Sequence, residues 1–184
     1  MQPQDQINFD ARLNQGEDGE RIITRWLISK GRGVVPIYEK TENCGKGPRY
    51  FATDKSLTAP DLLVFNGPSF TWVEAKLKTV FSWHRITGKW ETGIDRHHWR
   101  HYVQIKRAHP APFWIMFLHM ESRTIEHDGH SPVGLFGNEI DILAKTINHE
   151  HDAWGRHGMV YWARDSLRLL ASLDQLKNLP PILG

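Results

Sequence analysis

The sequence predicts a layered α/β (α+β) domain whose central sheet is flanked by helices on both faces. Three observations lead there. Leu62-Leu63-Val64-Phe65 and Phe70-Thr71-Trp72-Val73 carry apolar side chains on both faces, so strands built from them must be covered on each side. Asn66-Gly67-Pro68-Ser69 between them is rich in turn formers, which joins the two as a hairpin. Segments of helical period precede and follow, so the order begins α, β, β, β, α, β.

The first helix is expected from about Gln15 to Lys30, with Ile22, Ile23, Trp26 and Leu27 at helical spacing and Gly31 as a left-handed stop. Gly33 to Tyr38 reads as a strand whose Pro36 favours a sheet edge, because proline cannot donate to a ladder. Thr41 to about Thr58 reads as a polar loop. After the central hairpin comes a second, from about Phe81 to Glu91 around Thr87-Gly88, and then a helix from about Asp95 to Arg107. Phe113 to His119 is a buried strand, Glu139 to Asn148 a helix, Met159 to Ala163 a strand and Asp165 to Leu176 a terminal helix.

At 184 residues, with 40% hydrophobic side chains, the chain has material for one core, expected over residues 13–178. Residues 1–12 lack a period, and the prolines after Leu179 stop the last helix, so 1–12 and 179–184 are expected to be dispensable tails. The single cysteine, Cys44, excludes an intrachain disulfide and fits a cytoplasmic location. The apolar stretch around Phe113 to Leu118 is far short of the ~20 residues that span a bilayer, so no membrane partner is expected.

A net charge of +2 says little, but the distribution is uneven. From Lys76 to Arg107 the bases Lys76, Lys78, Arg85, Lys89, Arg96, Arg100, Lys106 and Arg107 face only Glu91 and Asp95. This middle segment is the expected contact for a polyanion.

The chemistry lies in Pro60-Asp61 and Glu74-Ala75-Lys76. If the turn closes symmetrically, with Phe65 opposite Phe70, continuing the register sets Asp61 opposite Glu74, and period-two alternation puts Lys76 on the same face. Carboxylates about 5 Å apart in an apolar setting are destabilising without a compensating proton or cation. A divalent ion is the economical compensation, and oxygen ligands suit Mg²⁺ or Mn²⁺. Lys76 would position a nucleophile or neutralise developing charge.

Pro60-Asp61 and Glu74-Ala75-Lys76, in this αβββαβ context, resemble the motif of the PD-(D/E)xK nuclease superfamily over roughly residues 15 to 120. Holliday-junction-resolvase-like and phage-type small nucleases look most similar. The resemblance implies a restriction-endonuclease-like core with a mixed central sheet, and a Mg²⁺-dependent phosphodiesterase, an endodeoxyribonuclease. It also implies a glutamate from the first helix. Helical phase selects Glu20, at the border of the apolar stripe, whereas Glu17, three residues after Asn14, suits a capping box. The implied catalytic set is Glu20, Asp61, Glu74 and Lys76, with Asp61, Glu74, the Ala75 carbonyl and Glu20 on the metal. Expected partners are nucleic acid, DNA before RNA, and a second copy in a homodimer.

Other signals stay open between two readings. Lys78 is a substrate contact or a solvated strand end. Trp83, Arg85, Lys89 and Trp90 suit base stacking and phosphate neutralisation, and the tryptophans equally suit a satellite core. Arg100 and Tyr102 on the second helix are candidates to approach a phosphate. His97 and His101, at i and i+4, suggest zinc only weakly, since no further ligand is indicated. His127, His130, His149, His151 and His157 read as exposed loop histidines. Besides the nuclease, two readings remain: an inactive nucleic-acid- or protein-binding module on the same fold, and a histidine-based zinc enzyme.

Overall fold

A ten-residue strand organises the molecule, because both of its faces are covered and it pairs on both edges. The computed structural model describes residues 19–37, 48–52, 54–126, 129–153, 155 and 157–180. The described part of helix α1 covers residues 19–29. It ends at Gly31 with φ 74°, the left-handed position that glycine adopts without penalty. Strand β1 is Gly33–Pro36. Next come β2, Arg49–Phe51, and β3, Ser56–Thr58, paired as a small hairpin inside the segment expected to be loop.

Strand β4, Leu62–Asn66, and β5, Ser69–Lys78, form the central hairpin with Phe65 opposite Phe70 and Leu62 opposite Val73. The expected register therefore holds to the last paired residue. Strands β6, Ser82–His84, and β7, Lys89–Asp95, make the second hairpin. Helix α2, Arg96–Ala108, leads into β8, Phe113–His119. After a short ladder, β9 at Thr124–Ile125 and β10 at Gly129–His130, come β11, Gly134–Glu139, and a single helical turn α3, Ile140–Leu143. Strands β12, Ile147–His151, β13, Met159–Ala163, and β14, Arg168–Ala171, precede the last helix α4, Leu173–Lys177.

The main sheet has six strands in the order β1-β4-β5-β8-β11-β14. It is mixed, since β5 runs parallel to β8 while the other neighbours are antiparallel. Pro36 sits on the edge strand, as its missing donor requires. Alternation along β8 feeds two cores. Phe113, Ile115 and Phe117 join Trp99, Tyr102 and Ile105 of α2 on one face. Met116 and Leu118 join Ile23 and Leu27 of α1 on the other.

A second sheet, β12-β13-β7-β6, packs its Ile94, Val160 and Trp162 into the α2-side core. Trp162 is fully buried and donates its ring N–H to the Leu143 carbonyl at 2.8 Å. That bond and the β12–β13 ladder account for one departure from expectation. The segment expected as a helix from Glu139 to Asn148 is one turn followed by β12. Similarly, Asp165 to Leu176 is not one helix: a 3-10 turn at Arg164–Ser166 leads to β14, which completes the main sheet beside β11. Ser172 then starts α4 afresh through a capping box with Gln175.

Strand β11 went unread because its glycines weaken the strand pattern, yet one of them is sterically required. A Cβ at Gly137 would lie 2.7 Å from the Ile115 carbonyl oxygen. Residues 1–12 lie outside the described residues. At the other end Leu179 packs on the α1-side core, and Arg25 donates to the Leu179 and Pro180 carbonyls. Among the described residues no helix is long and apolar enough to cross a membrane.

Trp90 is half-buried, packs on the α2-side core and meets Trp83 edge-on with ring centroids 5.1 Å apart. Its replacement, Trp90→Ala, is therefore expected to cost on the order of 1–3 kcal/mol and lower the melting temperature. Thermal unfolding measures this; an unchanged melting temperature would remove Trp90 from the core.

Candidate functional site

The site is built where the central hairpin stops pairing. β4 ends its ladder at Leu62 opposite Val73, so the β4-side edge of β5 is uncovered beyond that point. Asp61 leaves the strand line and closes the gap with its side chain. Its Oδ2 accepts from the Ala75 N–H at 2.9 Å, while its carbonyl accepts from the Ile37 N–H at 2.8 Å. Asp61 thus reaches β5 through a side-chain bond to the residue after Glu74, not as a directly opposed ladder partner. In an extended strand a residue's N–H and C=O point to the same edge, so the Ala75 carbonyl is directed to the Asp61 side.

Glu74 and Lys76 lie on the face of β5 that looks toward α2, with Ile115 and Phe117 of β8 beside them. Glu74 is fully buried, at 0% exposure. Neither of its carboxylate oxygens has a well-directed hydrogen bond; its close contact is an ion pair with Lys76 Nζ. Tyr102, projecting from α2 and only 1% exposed, packs into the same core, where its phenol feels the charge of that carboxylate.

These surroundings set the protonation of the group. Burial first, then the Glu74 charge, push the Asp61 carboxyl from its ordinary 3.8 up to about 7, against the opposing pull of Lys76 and the Ala75 N–H. Burial acts to lower Lys76, but the charges of Glu74 and Asp61 outweigh it and hold the ammonium above its ordinary value, with Glu20 adding to them. Burial, and then the charges of Glu74 and Asp61, raise the Tyr102 phenol well above its usual range. Lys78 is lowered to about 8 by burial and next by Lys76.

Glu20 is half-buried on α1, whose Gly19 abuts Leu77, so that the helix runs beside the open end of β5. Glu17, its expected capping counterpart, lies outside the described residues. Arg85 and Lys89 are exposed at the ends of the second hairpin's turn, and Arg100 is exposed on α2. Trp83, Arg85 and Arg123 line a polar cleft of about 760 Å³. His98, on the helix where the sequence allows a histidine to approach a phosphate, comes near the site. It lies one helical turn from Tyr102 on the inward side of α2 and is lowered to about 4 by burial and then by Lys76. The i, i+4 spacing of His98 with Tyr102 was the available signal.

His97 and His101 have ring centroids 4.1 Å apart, but His101 Nδ1 accepts the Thr58 N–H at 3.0 Å, which occupies that nitrogen. His149 is not an exposed loop residue: it is half-buried on β12, where strand pairing fixes it. The donor set at Asp61 and Glu74 fits a hard divalent cation, since two carboxyls and a carbonyl direction converge while both Glu74 oxygens lack directed donors.

No protein-family model matches the chain, and no curated protein does. Among solved structures it is similar to Hjc, a Holliday junction resolvase from the archaeal hyperthermophile Archaeoglobus fulgidus, with a TM-score of 0.50. The match covers 82% of this chain and 90% of that chain at 9% identity. The fold is restriction-endonuclease-like. At this identity the likeness concerns the fold, a mixed central sheet with α1 on one face and α2 on the other.

The Asp61 shift has a sign that can be measured. A carboxyl whose folded pKa is raised binds its proton more tightly when folded. Its contribution to stability is complete below the unfolded value of 3.8 and is lost as pH rises through about 7. In metal-free buffer, the melting temperature of the wild type relative to Asp61→Asn should therefore fall between those limits. A constant difference across that window would place Asp61 in water instead.

Proposed function

We propose that the chain is a metal-dependent nuclease that hydrolyses phosphodiester bonds in DNA, an endodeoxyribonuclease of the PD-(D/E)xK superfamily. The observation that carries this reading is the convergence of Asp61, Glu74 and Lys76 at the open edge of β5, with both Glu74 oxygens buried and lacking directed hydrogen bonds. Asp61, Glu74, the Ala75 carbonyl and Glu20 would hold Mg²⁺, with Mn²⁺ as a substitute. When bound, that ion supplies Lewis-acid stabilisation of phosphate oxygens and a water of lowered pKa.

The chain's own groups do the rest. Lys76 stays an ammonium beside Glu74 and Asp61, suited to orient the attacking water and to neutralise charge as it develops on the phosphate. Tyr102 bounds the site from the α2 side and excludes water there. Lys78 follows on the same face of β5 and is the next group to meet a phosphate. Exposed Arg85, Lys89 and Arg100, with Trp83 beside Arg85 in the cleft, would contact the DNA strand. The likeness to a Holliday junction resolvase supports DNA as the substrate, and a homodimer is proposed as the assembly.

A second reading rests on the Lys76–Glu74 ion pair, which neutralises Glu74 without any metal. On that reading the chain binds nucleic acid without cutting it. Incubation of the purified protein with supercoiled, linear, branched and single-stranded DNA, with Mg²⁺, with Mn²⁺ and with chelator, separates the two. The nuclease reading expects metal-dependent cleavage that Asp61→Ala and Glu74→Ala each abolish while remaining folded, and that Glu20→Gln slows. Salt-sensitive DNA binding with no cleavage under any metal would establish the binding module.

A further inference from the structure

The second sheet carries a cluster that shares no residue with the Asp61 and Glu74 site. Paired residues of antiparallel strands share a face, and so do residues two apart. His84 pairs with Lys89, Glu91 pairs with Ala163, Gly93 with Tyr161, and Tyr161 with His149, so His84, Glu91, Gly93, Tyr161 and His149 all lie on one face. At Gly93 any side chain would run into the Val160 carbonyl and the Tyr161 ring, so the glycine lets that ring lie across β7. His149 stacks on Tyr161 with centroids 4.7 Å apart and planes 8° from parallel, and His84 stacks on His149 at 4.1 Å and 10°.

Beneath the rings Glu91 is 2% exposed. His84 Nδ1 lies 3.4 Å from Glu91 Oε1, and His149 Nδ1 lies 3.3 Å from Glu91 Oε2. Thr87 Oγ1 is 2.8 Å from His84 Nδ1 and 3.3 Å from Glu91 Oε1, and the Asn148 amide also donates to Oε1. His149 Nδ1 is buried, and its approach to Glu91 is not directed as a hydrogen bond. Among the described residues, this is the group of three that brings its ligand atoms within 4.8 Å of one another.

We propose that His84, Glu91 and His149 bind a Zn²⁺ ion. Two imidazole nitrogens and a carboxylate are a zinc donor set, and here the nitrogens lie 3.4 and 3.3 Å from the two oxygens of Glu91, with the three ligand atoms within 4.8 Å of one another. The two stacked rings turn out of parallel so that both nitrogens face the ion. A buried carboxylate between two ring nitrogens, one of them without a hydrogen bond, is compensated by such an ion. The hydroxyl of Thr87 yields its place at His84 Nδ1, and water or the Asn148 amide oxygen completes the shell. The ion ties both edge strands, β6 and β12, to β7. It thereby fixes the hairpin whose turn carries Arg85 and Lys89.

The test uses the full chain carrying Asp61→Asn and Glu74→Gln, so that the carboxylates at β5 do not contribute, and Zn²⁺ alone as the probe. Zinc retained through gel filtration is counted by elemental analysis, Co²⁺ reports tetrahedral ligation by its visible spectrum, and circular dichroism follows the fold. The expected result is about one zinc per chain, with a melting temperature that falls on chelation. His149→Ala and His84→Ala should each weaken binding at least about tenfold, while His97→Ala and His101→Ala leave it unchanged. The side chain of His84 is 24% exposed at a sheet edge, and His84→Asn serves as a milder second variant there. Absence of retained zinc, retention that survives loss of His84 and His149, or loss caused by His97→Ala would each overturn the proposal.

Discussion

The burial of Glu74 at the point where β5 loses its neighbour is the constraint around which the site is arranged. A fully buried carboxylate without directed hydrogen bonds is costly, and the chain answers it locally with Lys76 and with the proton that Asp61 retains. Neither removes the crowding of two acids. The same crowding that is unfavourable in the protein alone becomes favourable once a divalent cation lies between them, so the arrangement favours a metal-bound state over a metal-free one.

The fold makes that burial possible by placing the chemistry on a strand with no exposed face. α1 and its Ile23 and Leu27 cover one side of β5, while α2 and the second sheet cover the other. The carboxylates are reached from the edge that β4 abandons, and Glu20 approaches Lys76 from α1 at that edge. The second sheet has a separate part. It closes the α2-side core with Trp162 and carries Arg85 and Lys89 on an exposed turn, so its rigidity governs how firmly those cations are held.

What could be read in the sequence was local. Asn66-Gly67-Pro68-Ser69 set the register of the central hairpin, the period of Ile23 and Leu27 marked α1 and its Gly31 stop, and an unbroken apolar run marked β8. Asp61, Glu74 and Lys76 could be brought together from that register alone. The last step of the ladder could not, because Asp61 turns out of line to bond the Ala75 N–H. Pairing between distant segments was also hidden. Leu167, Leu170, Leu173 and Leu176 repeat at helical spacing, yet the first part of that run completes the sheet beside β11 and Ser172 begins a new helix. His149 looked like a loop residue because its strand exists only through β13.

On the nuclease reading Asp61 and Glu74 form one cation site whose occupation displaces the Asp61 proton. Calorimetric titration of Mg²⁺ into the chain near pH 7, in buffers of different ionisation enthalpy, measures both events together. With Asp61 at about 7, binding is expected to release about half a proton per ion at that pH and none in alkaline buffer, and Asp61→Asn should abolish the release. Binding heats that do not depend on the buffer, or that persist unchanged in Asp61→Asn and Glu74→Gln, would show that the two carboxyls do not hold the ion.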